Sequence, residues 1–394
     1  MEFKNYKMED IATFSQGKQV EIENQYTEKK ENMRRFLRII DFTNPNEPIR
    51  YVEDFGDRYY AKKDDLVMIR YGSQTCGKVV IGKEGIIANN MFKINLDNSI
   101  VLNRYAYYYL KQDIVYNYLR GSQNSSTMPS INFGILNKLE IEVPSIDNQK
   151  KIVKILNDID EKIDLNNQIN NNLHELVKYE YYERFIVNKR DDWKEDTLGN
   201  FLSIDRGLSY KGQFLSDNGV PMINLGNVMP NGVFRIEKNK YYSGDFKEKV
   251  TTKVGDIVLA NTDMTQNREV IGTPVIVPPI YDGKIIFSHH IYCLRDLKLP
   301  KMFIFYTLLT DDWNAAAGGN ATGTTVLALP KNTIENYIIT IPDNESLAIF
   351  DNIATSIQEK RELIMLENIK LEELRDTLLP KLMNGEIDLD NIEV

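Results

Sequence analysis

Residues 121–144, GSQNSSTMPSINFGILNKLEIEVP, and residues 319–342, GNATGTTVLALPKNTIENYIITIP, lie 198 positions apart and align without a gap. The same offset continues past Pro144 and Pro342. Ile155 meets Ile353, Ile159 meets Ile357, Glu161-Lys162 meets Glu359-Lys360, and Leu165, Leu173 and Leu176 meet Leu363, Leu371 and Leu374. Working back toward each start, KDDLVMIR at 63–70 parallels VGDIVLAN at 254–261, and GIIANNMFKI at 85–94 parallels KIIFSHHIYC at 284–293. The openings correspond as well, Met8 to Gly17 against Leu198 to Gly207. The chain is therefore two diverged copies of one unit, matched best in its scaffold and least in its loops, where variation is tolerated.

Each copy divides into a mixed portion and a long helix. Short β-branched runs such as Leu66–Ile69, Val79–Ile81, Ile257–Leu259 and Ile285–Phe287 are bounded by Gly, Asp and Asn and predict strands. A helix is expected near Arg104–Leu119, with its counterpart near Met302–Ala316. From Ile146 to Phe185 there is neither Gly nor Pro, and apolar residues recur at 152, 156, 159, 163, 173 and 177. Phe350, Ile353, Ile357, Ile364, Leu371, Leu374 and Leu378 repeat that alternation in the second copy. Such seams predict helices packed side by side, each opening after a Pro with Asp147 or with Asn344 and Glu345. Asn166 and Asn170 interrupt the first seam, Lys360 and Glu367 the second, as polar residues that fix register. The expected fold is α+β: two tandem α/β domains, 1–145 and 189–343, with two long antiparallel coiled-coil helices, 146–188 and 344–394, the latter ending in an acidic tail. A forty-residue helix spans about 60 Å.

Composition narrows the function. With 42% hydrophobic and 27% charged residues over 394 positions the chain suits two or three globular domains. Cys76 and Cys293 are too few for a disulfide framework or a cysteine-built zinc site, which fits a reducing cytoplasm. MEFKNYKMED lacks the layout of a signal peptide, and no apolar run is long enough to cross a bilayer, so no membrane role is expected. The net charge of −9 opposes a nucleic-acid partner at first sight. Its distribution tempers that: residues 344–394 carry 5 basic against 12 acidic groups, whereas residues 1–145 carry 20 against 19.

Motifs for catalysis fail on detail. Gly72-Ser73-Gln74-Thr75-Cys76-Gly77-Lys78 fits seven positions of a phosphate-cradling loop, but Val79 stands where Ser or Thr would hold magnesium, and the segment runs on into strand-like sequence. It reads as a glycine-rich hairpin loop that ends at Lys78. Asn44-Pro45-Asn46-Glu47-Pro48 lacks the adjacent prolines and aromatic residue of an adenine methyltransferase. Asp343, Glu359 and Arg361 sit at the start of and within a predicted helix, where charges usually face water. His289-His290 lies near Cys293, but strand alternation would point the two rings to opposite faces, so no metal site is expected.

The organisation and several motifs together resemble the specificity subunit of type I restriction enzymes, over essentially the whole chain. WKEDTLG at 193–199 matches the family's opening Trp-Lys and Leu-Gly, LEIEVPSIDNQKKI at 139–152 its strand and glutamine-bearing helix start, and LLPKLMNGEID at 378–388 its C-terminal segment. The copies depart from the pattern at Tyr6-Lys7-Met8-Glu9, in place of the opening signature, and at Leu347, where Gln149 predicts Gln.

The resemblance implies that each mixed portion is a target recognition domain reading one half of a bipartite double-stranded DNA target. It also implies helices that set the unread spacer and dock methyltransferase subunits, two of them, and through these the restriction/translocase subunits. The chain itself would be non-catalytic and bind no cofactor, with S-adenosylmethionine and ATP/Mg on its partners. Arg would read guanine, Asn or Gln adenine, and small side chains thymine methyls, with Lys on phosphates. In the first domain the candidates are Lys29, Lys30, Arg34, Arg35, Arg38, Arg70, Gln74, Lys78, Gln123 and Asn124. In the second they are Asn224, Asn227, Asn261, Thr265, Gln266, Asn267, Arg268, Asn320, Thr322, Thr324 and Thr325. The bland alternative for each is a solvated loop residue. The competing functions are a stand-alone nucleotide-binding or DNA-modifying enzyme and a coiled-coil scaffold.

Overall fold

A computed structural model of the chain describes residues 1–44, 47–72, 75–121, 130–265 and 267–389. The chain packs as two units that do not follow chain order. One is Met1–Ile163 with the chain from Lys370 onward; the other is Asp164–Ile369. Packing thus divides each long helix between the units, where the sequence reading set each helix apart as a segment of its own.

The first unit has two four-stranded sheets. One orders Ala12–Gln16, Met91–Leu96, Leu66–Ile69 and Val79–Val80, all antiparallel. The other orders Arg50–Glu53, Met33–Leu37, Gly85–Ile87 and Tyr60–Ala61, with Met33–Leu37 and Gly85–Ile87 parallel. A ribbon of Phe3–Lys7 against Glu140–Pro144 closes the domain. The second unit repeats this order and adds the strand Leu215–Ser216 at one edge of its second sheet. Ser203–Arg206, Ile291–Arg295, Ile257–Ala260 and Pro274–Ile276 form one sheet, and Val220–Ile223 lies parallel to Ile285–Phe287 in the other. Lys194–Thr197 pairs with Ile338–Ile341 as the closing ribbon.

The LVMI and IVLA runs become strands because both of their faces are buried. Successive side chains on a strand point to opposite faces, so Leu66 and Met68 enter one apolar core while Val67 and Ile69 enter another. In the second unit Ile257 and Leu259 are divided from Val258 and Ala260 in the same way. A matched glycine also survives in each unit: a Cβ at Gly17 would sit 2.1 Å from the Ala88 carbonyl oxygen, and one at Gly207 2.2 Å from that of Ser288.

The expected helix near 104–119 is two helices, Asn103–Lys111 and Asp113–Gly121, and its counterpart is Lys301–Thr307 and Asp311–Asn320. In the second copy the break is an N-cap: the Thr310 hydroxyl accepts from the Trp313 amide, and Asp311 and Asp312 follow in the first turn.

The central helix runs from Ile146 to Tyr182 and ends in a π-turn over Glu183–Val187; the C-terminal helix runs from Asn344 to Met383. In the first unit Ile152 and Leu156 share a core with Leu379, Leu382 and Met383. Arg375 pairs with Asp160 at 2.9 Å, and Lys151 donates to the Leu389 carbonyl, so the helix segments are antiparallel. In the second unit Val177, Tyr181 and Phe185 share a core with Leu347, Phe350 and Ala354. There the Asn166 amide donates to Glu367 at 2.7 Å and to Asn368 at 2.8 Å, Asn368 donates to Asn167, and Asn170 donates to the Arg361 carbonyl.

Asn166 and Asn170 are thus seam residues, but Lys360 is exposed and Asn368 is the buried polar residue of the facing helix. Ile353 and Leu374, expected in the seam, are 39% and 47% exposed. Ala354, Asn368 and Leu379 are buried instead, so the antiparallel partner covers a neighbouring stripe of the helix.

His174, on the central helix, is 1% exposed. Its Nε2 donates to the Asn231 carbonyl at 2.8 Å, while Nδ1 faces the Tyr306 hydroxyl at 3.5 Å. Burial first, then the nearby Arg361 guanidinium, pushes its pKa down to about 3. An imidazole buried neutral binds its proton more readily in the unfolded chain, so its contribution to stability is whole above pH 6.5 and lost as pH falls from there toward 3. Acidification from pH 6.5 to 5 is therefore expected to lower stability by up to about 1.4 kcal/mol per pH unit, and His174→Gln should flatten that part of a urea-unfolding profile.

Candidate nucleic-acid interface

In each unit the strand ending at Ile69 or Ala260 runs into a loop that is hydrogen-bonded to the small-polar loop of the repeat. In the first, Tyr71 bridges to Ser130, and the Ile131 amide donates to the Arg70 carbonyl at 3.0 Å. In the second, Thr262–Asp263 pairs with Leu327–Ala328, with Thr262 opposite Ala328. Ser130 and Ala328 are again 198 apart. Both units thus build one edge from the same two segments.

The edge of the second unit is held by a residue the sequence reading missed. Asp263 is fully buried. Its Oδ1 accepts from the Thr265 amide at 2.6 Å and hydroxyl at 2.7 Å, and its Oδ2 from the amides of Val270 at 2.7 Å and Ile271 at 3.1 Å. The loop it ties down exposes Thr265, Asn267 and Arg268, and Arg268, at φ +56°, donates to the Gly318 carbonyl at 2.6 Å. Beside it the hairpin closed by Thr322 and Ala328 exposes Thr322, Thr324 and Thr325. A side chain at Gly323, φ +120°, would meet the Val326 carbonyl oxygen at 2.2 Å, so that tight turn demands glycine. Asn320 ends the preceding helix, its amide bonded to the Ala316 carbonyl. Thr265, Asn267, Arg268, Asn320, Thr322, Thr324 and Thr325 are therefore brought to one edge.

Three asparagines are corrected. Asn224 and Asn227 are buried and spent on their own loop: Asn224 accepts from the Gly226 amide and donates to Asn227 and to the Lys238 carbonyl, and Asn227 donates to the Arg235 carbonyl and to Asn239. Asn261, 3% exposed, donates to the His289 carbonyl at 3.0 Å. Asx turns of this kind and base-reading amides draw on the same residue type, which is why the sequence did not separate them.

The basic run of the first unit splits by role. Arg34 donates to Asp54 at 2.6 Å with its guanidinium 4.2 Å from the Tyr60 ring centroid. Arg35 and Arg38 pair with the buried Asp41 at 3.5 and 2.9 Å, and Arg38 reaches Glu47 at 3.0 Å. The three arginines are thus corrected from open base-readers to parts of internal ion pairs. Lys29 and Lys30 are exposed, as is Lys78; Arg70 stacks its guanidinium 5.0 Å from Tyr71. Gln74, Gln123, Asn124 and Gln266 lie outside the described residues.

Lys29→Ala with Lys30→Ala is accordingly expected to flatten the dependence of log affinity for DNA on log salt by up to about 2 units, with little change in melting. Arg38→Ala is expected to cost about 1–3 kcal/mol by stripping a partner from a buried carboxylate. Salt titration and thermal melting of the two variants separate these roles.

The remaining motifs resolve structurally. Lys78 leads into the strand Val79–Val80, not into a helix. Asp343 caps the C-terminal helix, accepting from the Ser346 amide at 2.9 Å, and those hydrogen bonds lower its pKa. His289 and His290 do not lie on opposite strand faces: they form a turn with ring centroids 3.8 Å apart. Among the described residues no three His, Cys, Asp or Glu side chains gather as metal ligands, and no helix is long and apolar enough to cross a membrane.

The profile of the type I restriction modification DNA specificity domain matches residues 1–175 and again 190–373. The chain belongs to this family. Both copies found by internal alignment are thus copies of the specificity domain, each with its share of long helix. Relatives include the type I restriction enzyme MjaVIII specificity subunit of Methanocaldococcus jannaschii, 24% identical over 87% of this chain and 84% of its own length. The HindI specificity subunit of Haemophilus influenzae is 21% identical over 77% of this chain and 81% of its own. In fold, the crystal structure of the type I restriction-modification S subunit from M. genitalium superposes with a TM-score of 0.55 at 16% identity, covering 97% of this chain and 96% of that one.

Proposed function

We propose that this specificity-domain protein selects DNA for a type I restriction-modification complex, each unit reading one half of a bipartite target through the edge described above. The observation that carries the reading is duplication: two domains of matched sheet order keep one framework and differ in the loops of that edge. Those loops are Thr265, Asn267, Arg268 and Thr322–Thr325 in the second unit, and in the first the segments joined at Tyr71–Ser130. Two like readers with unlike loops suit a target of two unlike halves.

The long helices set the spacer and dock two methyltransferase subunits, which bring the restriction/translocase subunits. Exposed Leu176, Tyr179 and Tyr182 on the central helix are the proposed docking residues, since aromatic side chains on a helix favour protein contact. The chain itself is a cytoplasmic, non-catalytic subunit without a cofactor, and S-adenosylmethionine and ATP/Mg belong to its partners. With a net charge of −9, tight DNA binding rests on the assembled complex.

Sequencing adenine methylation in host DNA with and without the chain tests this. The expected result is a two-part motif that disappears with the chain. Methylation or ATP hydrolysis by the purified chain alone, or failure to bind any methyltransferase, would overturn it.

A further inference from the structure

The turn Ser288–His290 has no role in the fold that accounts for its composition. Its two imidazoles lie 3.8 Å apart at 40°, with the Tyr210 ring 5.8 Å from His289 and Lys240 in turn 6.0 Å from Tyr210. The turn is stitched to the DNA-facing edge. His290 Nδ1 is 2.9 Å from the Thr262 hydroxyl, the Asn261 amides donate to the carbonyls of His289 and His290, and Thr262 is the residue paired with Ala328 of the threonine hairpin. Three polar atoms here are buried without a partner: Asn261 Oδ1, Ser288 Oγ and His289 Nδ1. Ser288 and Asn261 are 0% and 3% exposed, so these are costly groups to leave unpaired in a stable fold.

The charges bearing most on His290 are all basic: His289 on the turn itself, Lys240 on the strand Lys240–Tyr242, and Arg206 on the strand Ser203–Arg206. The uncharged groups at the turn are the Tyr210 ring and the Thr262 hydroxyl. Arg206 and Lys240 are exposed, and the imidazoles half-buried. Two exposed cations, Arg206 and Lys240, beside two half-buried imidazoles at an exposed edge make a site for an oxyanion of the DNA backbone.

The repeat supplies an internal control. Matching the bridge Lys18–Ala88 to Leu208–Ser288 puts Asn89-Asn90 opposite His289-His290, one position off the ungapped match of GIIANNMFKI with KIIFSHHIYC. The turn is built alike: Lys18 bridges in parallel to Ala88 as Leu208 does to Ser288, the Arg70 amide bonds to the Asn90 carbonyl as that of Asn261 does to His290, and Asn90 Oδ1 is also buried without a partner. The same backbone thus carries a hydrogen-bonding pair that cannot titrate in one unit and a pair that can in the other.

From this we infer that His289 and His290, with Arg206 and Lys240, form a phosphate clamp of the second domain, and that seating a DNA phosphate there draws a proton from solvent onto the imidazole pair. This rests on the DNA-reading function proposed above. Without DNA, burial and the three basic neighbours hold the His290 imidazole below its usual value. A phosphate beside it reverses that balance, because the opposite charge favours the protonated ring. By linkage, each proton taken up on binding strengthens affinity by at most about tenfold per pH unit of acidification.

The test uses the full chain bound to its methyltransferase. The probes are a duplex carrying the motif found by methylation mapping and a scrambled duplex, at pH 7.5 and pH 6.0 and constant ionic strength. The wild-type complex is expected to bind the motif duplex roughly three- to tenfold more tightly at the lower pH. H289N/H290N, which installs the pair this turn carries in the first unit, should bind with less than about a twofold change and a salt slope shallower by about one phosphate contact. If the wild-type complex prefers the motif duplex but gains nothing from acid, or if the variant keeps the wild-type pH response, the clamp is refuted while the recognition function stands. If the wild-type complex does not distinguish the duplexes, the recognition function itself fails, and the clamp with it.

Discussion

Gln149→Leu is expected to raise amide exchange at Leu102 by roughly thirtyfold or more, a loss of about 2 kcal/mol or above, and to lower the melting temperature. Gln149 is 0% exposed and makes three hydrogen bonds. Its Oε1 accepts from the Leu102 amide at 2.9 Å, and its Nε2 donates to the carbonyls of Ile100 at 2.8 Å and Pro144 at 3.0 Å. These join the closing ribbon, the cap of the helix Asn103–Lys111 and the start of the central helix. Leucine cannot replace any of the three, and each buried group left unpaired carries a desolvation penalty.

The second unit nonetheless has Leu347 at this place, 4% exposed. The repeat offset explains why. Leu102 plus 198 is Pro300, which caps the helix Lys301–Thr307 just as Leu102 caps its counterpart, and proline has no N–H to satisfy. Leu102 already has φ −73°, close to the angle proline imposes. Leu102→Pro combined with Gln149→Leu is therefore expected to recover about 1 kcal/mol of the loss. A double variant no more stable than Gln149→Leu would show that the two substitutions are unrelated.

That pair illustrates what was legible in the sequence. Duplication, the long helices and the sandwiched strands were readable because each leaves a periodic trace: an offset of 198, an apolar seam, an unbroken apolar run. The threonine hairpin was readable too, since its small polar residues recur beside Gly319 and Gly121. Individual site residues were not, because an asparagine that caps a turn and one that reads adenine are the same letter. Asn224 and Asn227 serve the former role. Arg34, Arg35 and Arg38 looked like a basic patch in one dimension; their partners Asp54, Asp41 and Glu47 stand 20, 6 and 9 positions away and come together only in the folded chain, Arg34 and Asp54 through the pairing of Met33–Leu37 with Arg50–Glu53. His289-His290 was read as a strand because the flanking residues are apolar, whereas the dipeptide is the turn between Ile285–Phe287 and Ile291–Arg295.

Asp263 left no trace in the sequence, and its replacement should have the largest effect on recognition. Asp263→Ala removes the acceptor of four hydrogen bonds at once, from Thr265, Val270 and Ile271, and so releases the loop that presents Thr265, Asn267 and Arg268. Asp263→Asn should be nearly as severe, since its amide group would turn one of the two acceptors into a donor facing backbone N–H groups. A loop that must order on binding loses affinity and, above all, discrimination, because base contacts depend on geometry while phosphate contacts persist. We expect binding of the motif duplex by the methyltransferase complex to weaken by roughly a hundredfold, about 2.7 kcal/mol, while binding to scrambled DNA changes little. Scrambling one half of the motif at a time makes the assignment specific. The wild-type complex should be penalised for either half, and the Asp263 variants for the first unit's half alone. Variants that still discriminate at both halves would place second-half reading elsewhere than on this loop.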